Sequence, residues 1–234
     1  MTKKVAVISG GTSGIGKKMV SMFLKAGVKV VTFSSSKSKV NLLKRELNEY
    51  SEDLICYQGD VSSQRDIARI STNVKKHFKK VNYLVNNSGT NVLNPISKIK
   101  AKDWKRIIDV NLTGVFYLTQ SMLTLLKKDS VILNMGSLAS RSGFPNWSAY
   151  CASKFGLKGF TEALREEMRP KQVRVVHAEI GATDTAIWNN LDGKWDRSGM
   201  MNDAEVAHIL FDSITKVKSV NVDEIFLMPP NGII

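Results

Sequence analysis

A tyrosine and a lysine stand four residues apart in Tyr150-Cys151-Ala152-Ser153-Lys154, and Ser137 lies thirteen residues upstream of the tyrosine. On a helix, positions i and i+4 share a face, so phenol and ammonium can point into one site. A free tyrosine titrates near ~10 and is a poor proton donor or acceptor at neutral pH. A neighbouring cation favours the phenolate and lowers that value. A phenol tuned in this way can exchange a proton with a carbonyl or alcohol oxygen. Ser137 could hydrogen-bond the same oxygen. Alone, the pair is weak evidence, because Tyr and Lys at this spacing are common on any solvated helix. Its weight depends on the residues that accompany it.

The elements that would position these residues follow a regular alternation. Short β-branched runs predict strands over 4–9, 28–33, 54–58, 83–85, 130–135, 173–178 and 224–228. Apolar residues at helical spacing predict helices over 15–26, 40–50, 66–78, 104–126, 149–168 and 203–217. Strand then helix throughout predicts an α/β fold, a doubly wound, seven-stranded parallel sheet with helices on both faces. No Gly/Ser linker, low-complexity tract or repeat breaks the pattern, so residues 1–234 read as one domain. In such sheets ligands bind at the carboxyl ends of the strands.

The first strand ends in Ser9-Gly10-Gly11-Thr12-Ser13-Gly14-Ile15-Gly16. Glycines at 10, 14 and 16 allow a tight turn and close approach to a ligand, and the following helix presents free N–H groups to a phosphate. The spacing G-x-x-x-G-x-G differs from the commoner dinucleotide fingerprint. The second strand ends in Ser34-Ser35-Ser36-Lys37, and no acid occurs from Val28 to Leu43. An NAD site needs a carboxylate there for the ribose 2′-hydroxyl. Hydroxyls and an ammonium suit a 2′-phosphate instead, which points to NADP(H) over NAD(H), with Lys37 as charge partner. The competing reading is a plain polar turn. Asp60-Val61 closes the third strand, where Asp60 could bond an adenine amine or cap a helix. Asn86-Asn87-Ser88-Gly89 closes the fourth, with side chains able to tie strands together and Gly89 making room for a cofactor. Asn111, a mediocre interior helix former, hints at a kink or a polar task in the long helix. The sixth strand leads into Gly181-Ala182-Thr183-Asp184-Thr185, whose hydroxyls could hold a cofactor amide or phosphates, or cap a helix.

Composition bounds the alternatives. The net charge is +13, from 34 basic and 21 acidic residues, but the lysines are scattered and form no arginine-rich stripe with interleaved aromatics. Solvated helix faces account for them, and a nucleic-acid partner is not expected. No stretch approaches the ~20 apolar residues of a membrane span, and 5–9 is too short for a signal-peptide core, so a cytoplasmic protein is expected. Cys56 and Cys151 with His77, His177 and His208 have no metal-ligand spacing.

Together these residues resemble the short-chain dehydrogenase/reductase family over essentially the whole chain. The matches are Gly10-x-x-x-Gly14-x-Gly16, Asp60, Asn86-Asn87-Ser88-Gly89, Asn111, Ser137, Tyr150-x-x-x-Lys154 and Gly181-x-x-x-Thr185. The length fits the compact, single-domain branch. The resemblance implies a Rossmann-type fold and a carbonyl or alcohol as small-molecule substrate. Tyr150 would be the general acid in reduction and base in oxidation. Lys154 would lower its pKa and hold the nicotinamide ribose. Ser137 would orient the carbonyl, and Asn111 would hold a water that relays protons. A homodimer or homotetramer is also implied. Three positions depart from the family pattern: Ser9 for Thr, Ser88 for Ala and Ile180 for Pro. Loss of that proline removes a fixed φ.

The resemblance also makes residues 186–201 a lid over the substrate. Trp188, Trp195, Met200 and Met201 could line an apolar pocket or pack onto the sheet, and Arg197 or Lys194 could hold a carboxylate or phosphate. Arg141 and Trp147 are further candidates for the wall. The leading reading is an NADP(H)-preferring carbonyl reductase or alcohol dehydrogenase. The alternative is a cofactor-sensing regulatory protein without turnover, although such proteins usually lose part of the Asn111, Ser137, Tyr150 and Lys154 set, which is complete here.

Overall fold

Val5–Ser9 forms the first strand, β1, and is buried along its whole length. A strand with no polar face must be covered on both sides. The computed structural model describes residues 3–191, 195–217 and 219–232. After β1 come α1 (Gly14–Lys25), β2 (Lys29–Ser34), α2 (Lys37–Glu46), β3 (Leu54–Gln58), α3 (Gln64–His77) and β4 (Val81–Asn86). They are followed by α4 (Ala101–Ile108), α5 (Gly114–Met122), β5 (Leu126–Met135), α6 (Ser148–Met168) and β6 (Arg174–Ile180). The chain then runs through the short strands β7 (Thr183–Asp184) and β8 (Met201–Asn202), helix α7 (Asp203–Thr215) and strand β9 (Glu224–Leu227).

Seven of these strands pair in the order β3-β2-β1-β4-β5-β6-β9, all parallel, as the alternation predicts. Successive side chains of a strand point to opposite faces. Ala6, Ile8 and Val85 therefore pack on α1 and α7 through Met19, Phe23 and Leu210. Val7, Leu84 and Ile132 pack on α3, α5 and α6 through Ile70, Leu118 and Leu164.

The predicted helix 104–126 is divided. A π-helical turn, Asp109–Thr113, separates α4 from α5, and Asn111 sits inside it, 1% exposed. The kink anticipated at Asn111 is this turn, and single π turns commonly mark functional sites. Helix α5 then stops at Met122, because β5 begins at Leu126 and not at 130. Val81 pairs with Leu126 and Tyr83 with Val131, so the ladder carries an irregularity between them. The extra residues loop out there, with Asp129 at φ 67° and the Ser130 hydroxyl donating to Val81 O at 2.7 Å. The polar run Lys127-Lys128-Asp129 hides this start of the strand from pattern reading.

β1 and β4 are locked by side chains as well as by backbone. The buried Ser9 hydroxyl accepts from both Asn87 N and Ser88 N at 3.0 Å. Ser9→Ala would leave two part-buried N–H donors at the cavity edge without this acceptor. An unsatisfied buried donor costs about 1–3 kcal/mol, so the variant should unfold at clearly lower urea concentration than the parent. An unchanged midpoint would show that these donors find other partners.

Candidate active site

Strand order reverses between β1 and β4, and a crevice opens there at the carboxyl ends of the strands. It holds a cavity of about 560 Å³, with Gly10, Thr12, Ser13, Gly14 and Ile15 on one wall. Gly10 (φ +68°) and Gly14 (φ +50°) take left-handed backbone that side chains disfavour. Gly16 stands behind the wall. A Cβ on it would meet Asn87 Nδ2 at 2.4 Å and Gly10 O at 2.6 Å. Asn87 Nδ2 itself donates to Ser9 O and Gly10 O, 3.1 Å each, and so fixes the loop from the β4 side. The start of α1 at Gly14 offers backbone N–H groups to an anion, and this cradle fits a pyrophosphate.

At the next two strand ends the structure sharpens and corrects the sequence reading. Ser34, Ser35 and Ser36 line the cavity, but the cation among them is Lys39 and not Lys37. Lys37 opens α2, whose N-cap is Ser36, its hydroxyl accepting from Lys39 N at 3.3 Å. A step of two residues along the helix turns the side chain well away from its neighbour's direction. Asp60 and Val61 line the cavity, yet Asp60 caps no helix: Ser63 caps α3. Its carboxylate instead accepts from Ser62 and pairs with Arg106 at 2.8 Å. Burial pushes the Asp60 carboxyl up, but the Ser62 hydrogen bonds and the Arg106 charge more than offset it and leave it below its ordinary value.

On the far side, Ser88 and Gly89 line the cavity beside Met135, Gly136, Ser137, Tyr150 and Lys154. Ser137 follows β5 and opens a short 3₁₀ turn, Leu138–Ser140, its hydroxyl accepting from Ala139 N at 3.2 Å. Tyr150 and Lys154 lie on α6, one turn apart, with the ammonium 5.5 Å from the phenol ring centre. Asn111 is not on the wall. Its amide bridges elements: Oδ1 accepts from Thr90 N at 2.8 Å, and Nδ2 donates to Thr90 O and to Ser153 Oγ. One amide hydrogen thus holds the chain after β4 and the other holds α6 between Tyr150 and Lys154.

Burial dominates the titration of the pair. Lys154 is 4% exposed and donates to Met135 O at 2.6 Å. Removal from water disfavours its charge and brings its pKa down to about 8. The same surroundings push Tyr150 up to about 12, against the pull of the Ser137 hydroxyl beside it. The depression of the phenol by a lysine, expected from spacing, is not found in the protein alone: burial raises it, and the group that pulls it down is Ser137.

The short chain dehydrogenase family model matches residues 4–195 of the chain. The chain belongs to this family. Sepiapterin reductase of Chlorobaculum tepidum is 28% identical over 98% of both chains. A 3-oxoacyl-acyl-carrier-protein reductase of Synechocystis is 30% identical, over 83% of this chain and 80% of the other. In fold, the chain matches an archaeal alcohol dehydrogenase from Thermococcus sibiricus, complexed with 5-hydroxy-NADP, at a TM-score of 0.89. That match is 24% identical and covers 98% of this chain and 97% of the other. The short-chain dehydrogenase described here is an NAD(P)-binding oxidoreductase acting on CH–OH or carbonyl groups, with the Rossmann fold that its strand order shows. None of its described helices is long and apolar enough to cross a membrane.

In this short-chain dehydrogenase the segment after β6 closes one end of the cavity. Ile180, in place of a proline, continues β6 and pairs with Leu227 of β9. Gly181, Thr183 and Thr185 line the wall, as do Trp147, Trp188 and Trp195. Met201 packs on the core, Arg141 is turned away from the cavity, and Lys194 lies outside the described residues. Arg197 is engaged by Asp184 at 3.2 Å and by the Thr185 carbonyl at 3.0 Å. Sequence reasoning missed Lys39, Arg106, Asn91 and Phe144 on the wall, and Glu179 behind it. Glu179 is fully buried in β6, paired with Arg141 and, at 2.9 Å, with Lys158. Nothing in the local pattern marks these residues; only an acid amid a core strand signals Glu179.

The burial of Lys154 has a measurable sign. Between about pH 8 and the ordinary lysine value, the unfolded chain still holds a proton that the folded protein has released. Stability therefore rises with pH across this window, relative to a protein lacking the amine. The urea midpoint of the parent should gain on that of Lys154→Met from about pH 7 to about pH 10. A pH-independent difference between the two would place the Lys154 pKa at its ordinary value.

Proposed function

We propose that this protein is an NADP(H)-preferring oxidoreductase that interconverts a carbonyl and a secondary alcohol, with Tyr150 as general acid in reduction and general base in oxidation. The meeting of Ser137, Tyr150 and Lys154 on the cavity whose other end is the glycine loop carries this reading. The relatives named as reductases support it. Bound in the cavity, a nicotinamide would supply or take up the hydride. The chain's residues do the rest. Tyr150 Oη gives its proton to the carbonyl oxygen as the alcohol forms, and takes it back in oxidation. Ser137 Oγ hydrogen-bonds the same oxygen. Lys154, held by Met135 O, sets a positive charge behind the phenol that favours loss of its proton. Asn111 keeps α6 in register with the chain after β4.

The NADP(H) preference rests on the end of β2. A 2′-phosphate there meets three serines, the Lys39 ammonium and the N-terminus of α2, with no carboxylate from Val28 to Leu43. Lys39 is exposed, so its contribution is that of an exposed ion pair. Lys39→Ala should weaken NADPH by about fivefold while leaving NADH within about twofold. Equal losses for the two would place the phosphate elsewhere, and tighter binding of NADH by the parent would refute the preference itself. Exposed Trp104, Phe116 and Phe155 on α4, α5 and α6 support assembly as a homodimer or homotetramer.

The role of Tyr150 has a direct test. Tyr150→Phe should bind NADPH within about twofold of the parent and lose on the order of 10²–10⁴ in kcat, the range of general acid–base catalysis. Turnover close to that of the parent would remove the phenol from the reaction.

A further inference from the structure

Five aromatic rings stand in a connected series at the Tyr150 end of the cavity, and all of them line it. Trp147 meets Tyr150 edge to face at 5.5 Å between ring centres. It also touches Phe144 at 6.2 Å and Trp188 at 6.2 Å. Trp188 continues to Trp195 at 4.9 Å. Its two central rings, Trp147 and Trp188, are each fixed by the fold. Trp147 directly precedes α6, three residues before the phenol. Trp188 Nε1 donates to Thr183 O at 2.9 Å, which fixes its ring against the segment after β6.

We infer that the substrate of the site is a flat, conjugated ring ketone, or the matching alcohol, whose ring lies against Trp147 and Trp188 while its oxygen faces Tyr150 and Ser137. The inference rests on the carbonyl reduction proposed above and specifies its substrate class. Aromatic faces and edges attract one another beyond the effect of buried area, and a conjugated ketone holds its ring and carbonyl in one plane. A ring held on Trp147 is thereby held beside the phenol that contacts Trp147.

An aromatic cluster can also recognise a quaternary ammonium. Here the charge balance opposes that ligand. Lys154 carries its ammonium into the same wall, and the acidic side chain among the described lining residues, Asp60, is paired with Arg106.

The test uses the full chain with NADP(H) and three ketones: acetophenone, its saturated counterpart cyclohexyl methyl ketone, and a trimethylammonium ketone. Intrinsic reactivity cancels when each variant is compared with the parent. Trp188→Leu should lower the ratio of kcat/KM for acetophenone over cyclohexyl methyl ketone by about tenfold, the scale of one or two ring contacts. Trp188→Phe keeps a ring and should hold that ratio within about twofold. Dissociation constants of the same ketones from the NADP⁺-loaded protein, read by tryptophan fluorescence, give the ratio without turnover. A carbonyl-reduction reading that fails outright leaves NADPH bound and every ketone unreduced, and the binding ratio then still decides the substrate class. An unchanged ratio in Trp188→Leu, or tighter binding of the ammonium ketone than of acetophenone, overturns the inference.

Discussion

The seam between β1 and β4 is the constraint on which the site depends. A parallel sheet that reverses its winding must leave a crevice there, and the crevice must not close by collapse of its two edges. Four hydrogen bonds prevent this. Ser9 accepts two from the chain after β4, and Asn87 returns two to Ser9 and Gly10. Every group involved lies at a strand end or within two residues of it, so the glycine loop and the wall opposite are held at one spacing. The loop's left-handed glycines turn the chain, but the Asn87 amide decides where the turned chain stops.

Charge is handled by a different means at two successive turns of α6. Lys154 faces the cavity with a carbonyl as its partner, and its charged form is disfavoured. One turn on, Lys158 faces Glu179 and Glu224, and its charged form is favoured. Burial alone would push the Glu179 carboxyl up, but Lys158 and Arg141 hold it below its ordinary value. Arg141 directly follows the turn opened by Ser137, and Lys158 belongs to the helix of Tyr150. One carboxylate in β6 thus joins the turn that Ser137 opens to the helix of Tyr150 and Lys154. Glu179 is buried and its two cationic partners are partly exposed, so the cost of burying the carboxylate offsets much of what the ion pairs gain. The arrangement therefore fixes geometry more than it adds stability. His177 beside it is fully buried, its ring nitrogens without a hydrogen-bond partner among the described residues, and burial takes its pKa down to about 4, which keeps it neutral there.

What could be read from sequence, and what could not, follows the range of the interactions. The seven strands, the glycine loop and the Tyr150–Lys154 pair are local patterns, decided by residues within a turn or two of one another. Proximity to the serines in sequence points to Lys37. Lys39 is the cavity residue because Ser36 caps α2, and that cap sets how each later side chain is rotated. The Asp60–Arg106 pair joins residues 46 apart and the Arg141–Glu179 pair residues 38 apart. No spacing rule connects such positions. Asn111 lies between these cases. Its poor fit to a helix is local and legible, but the use of that misfit, joining Thr90 to Ser153, is tertiary.

The opposed displacements of the two titrating groups set the resting state of the site. In water a tyrosine and a lysine titrate close together, near ~10. Here Lys154 falls to about 8 and Tyr150 rises to about 12. At neutral pH the pair is therefore a protonated phenol beside an ammonium that its surroundings only just retain. A protonated phenol is what reduction of a carbonyl requires. Oxidation requires the phenolate, which the protein alone disfavours, so groups that bind beside it must bring the stabilising charge or hydrogen bonds. The wall itself offers a hydroxyl beside the phenol, at Ser137, and aromatic rings from Trp147 to Trp195.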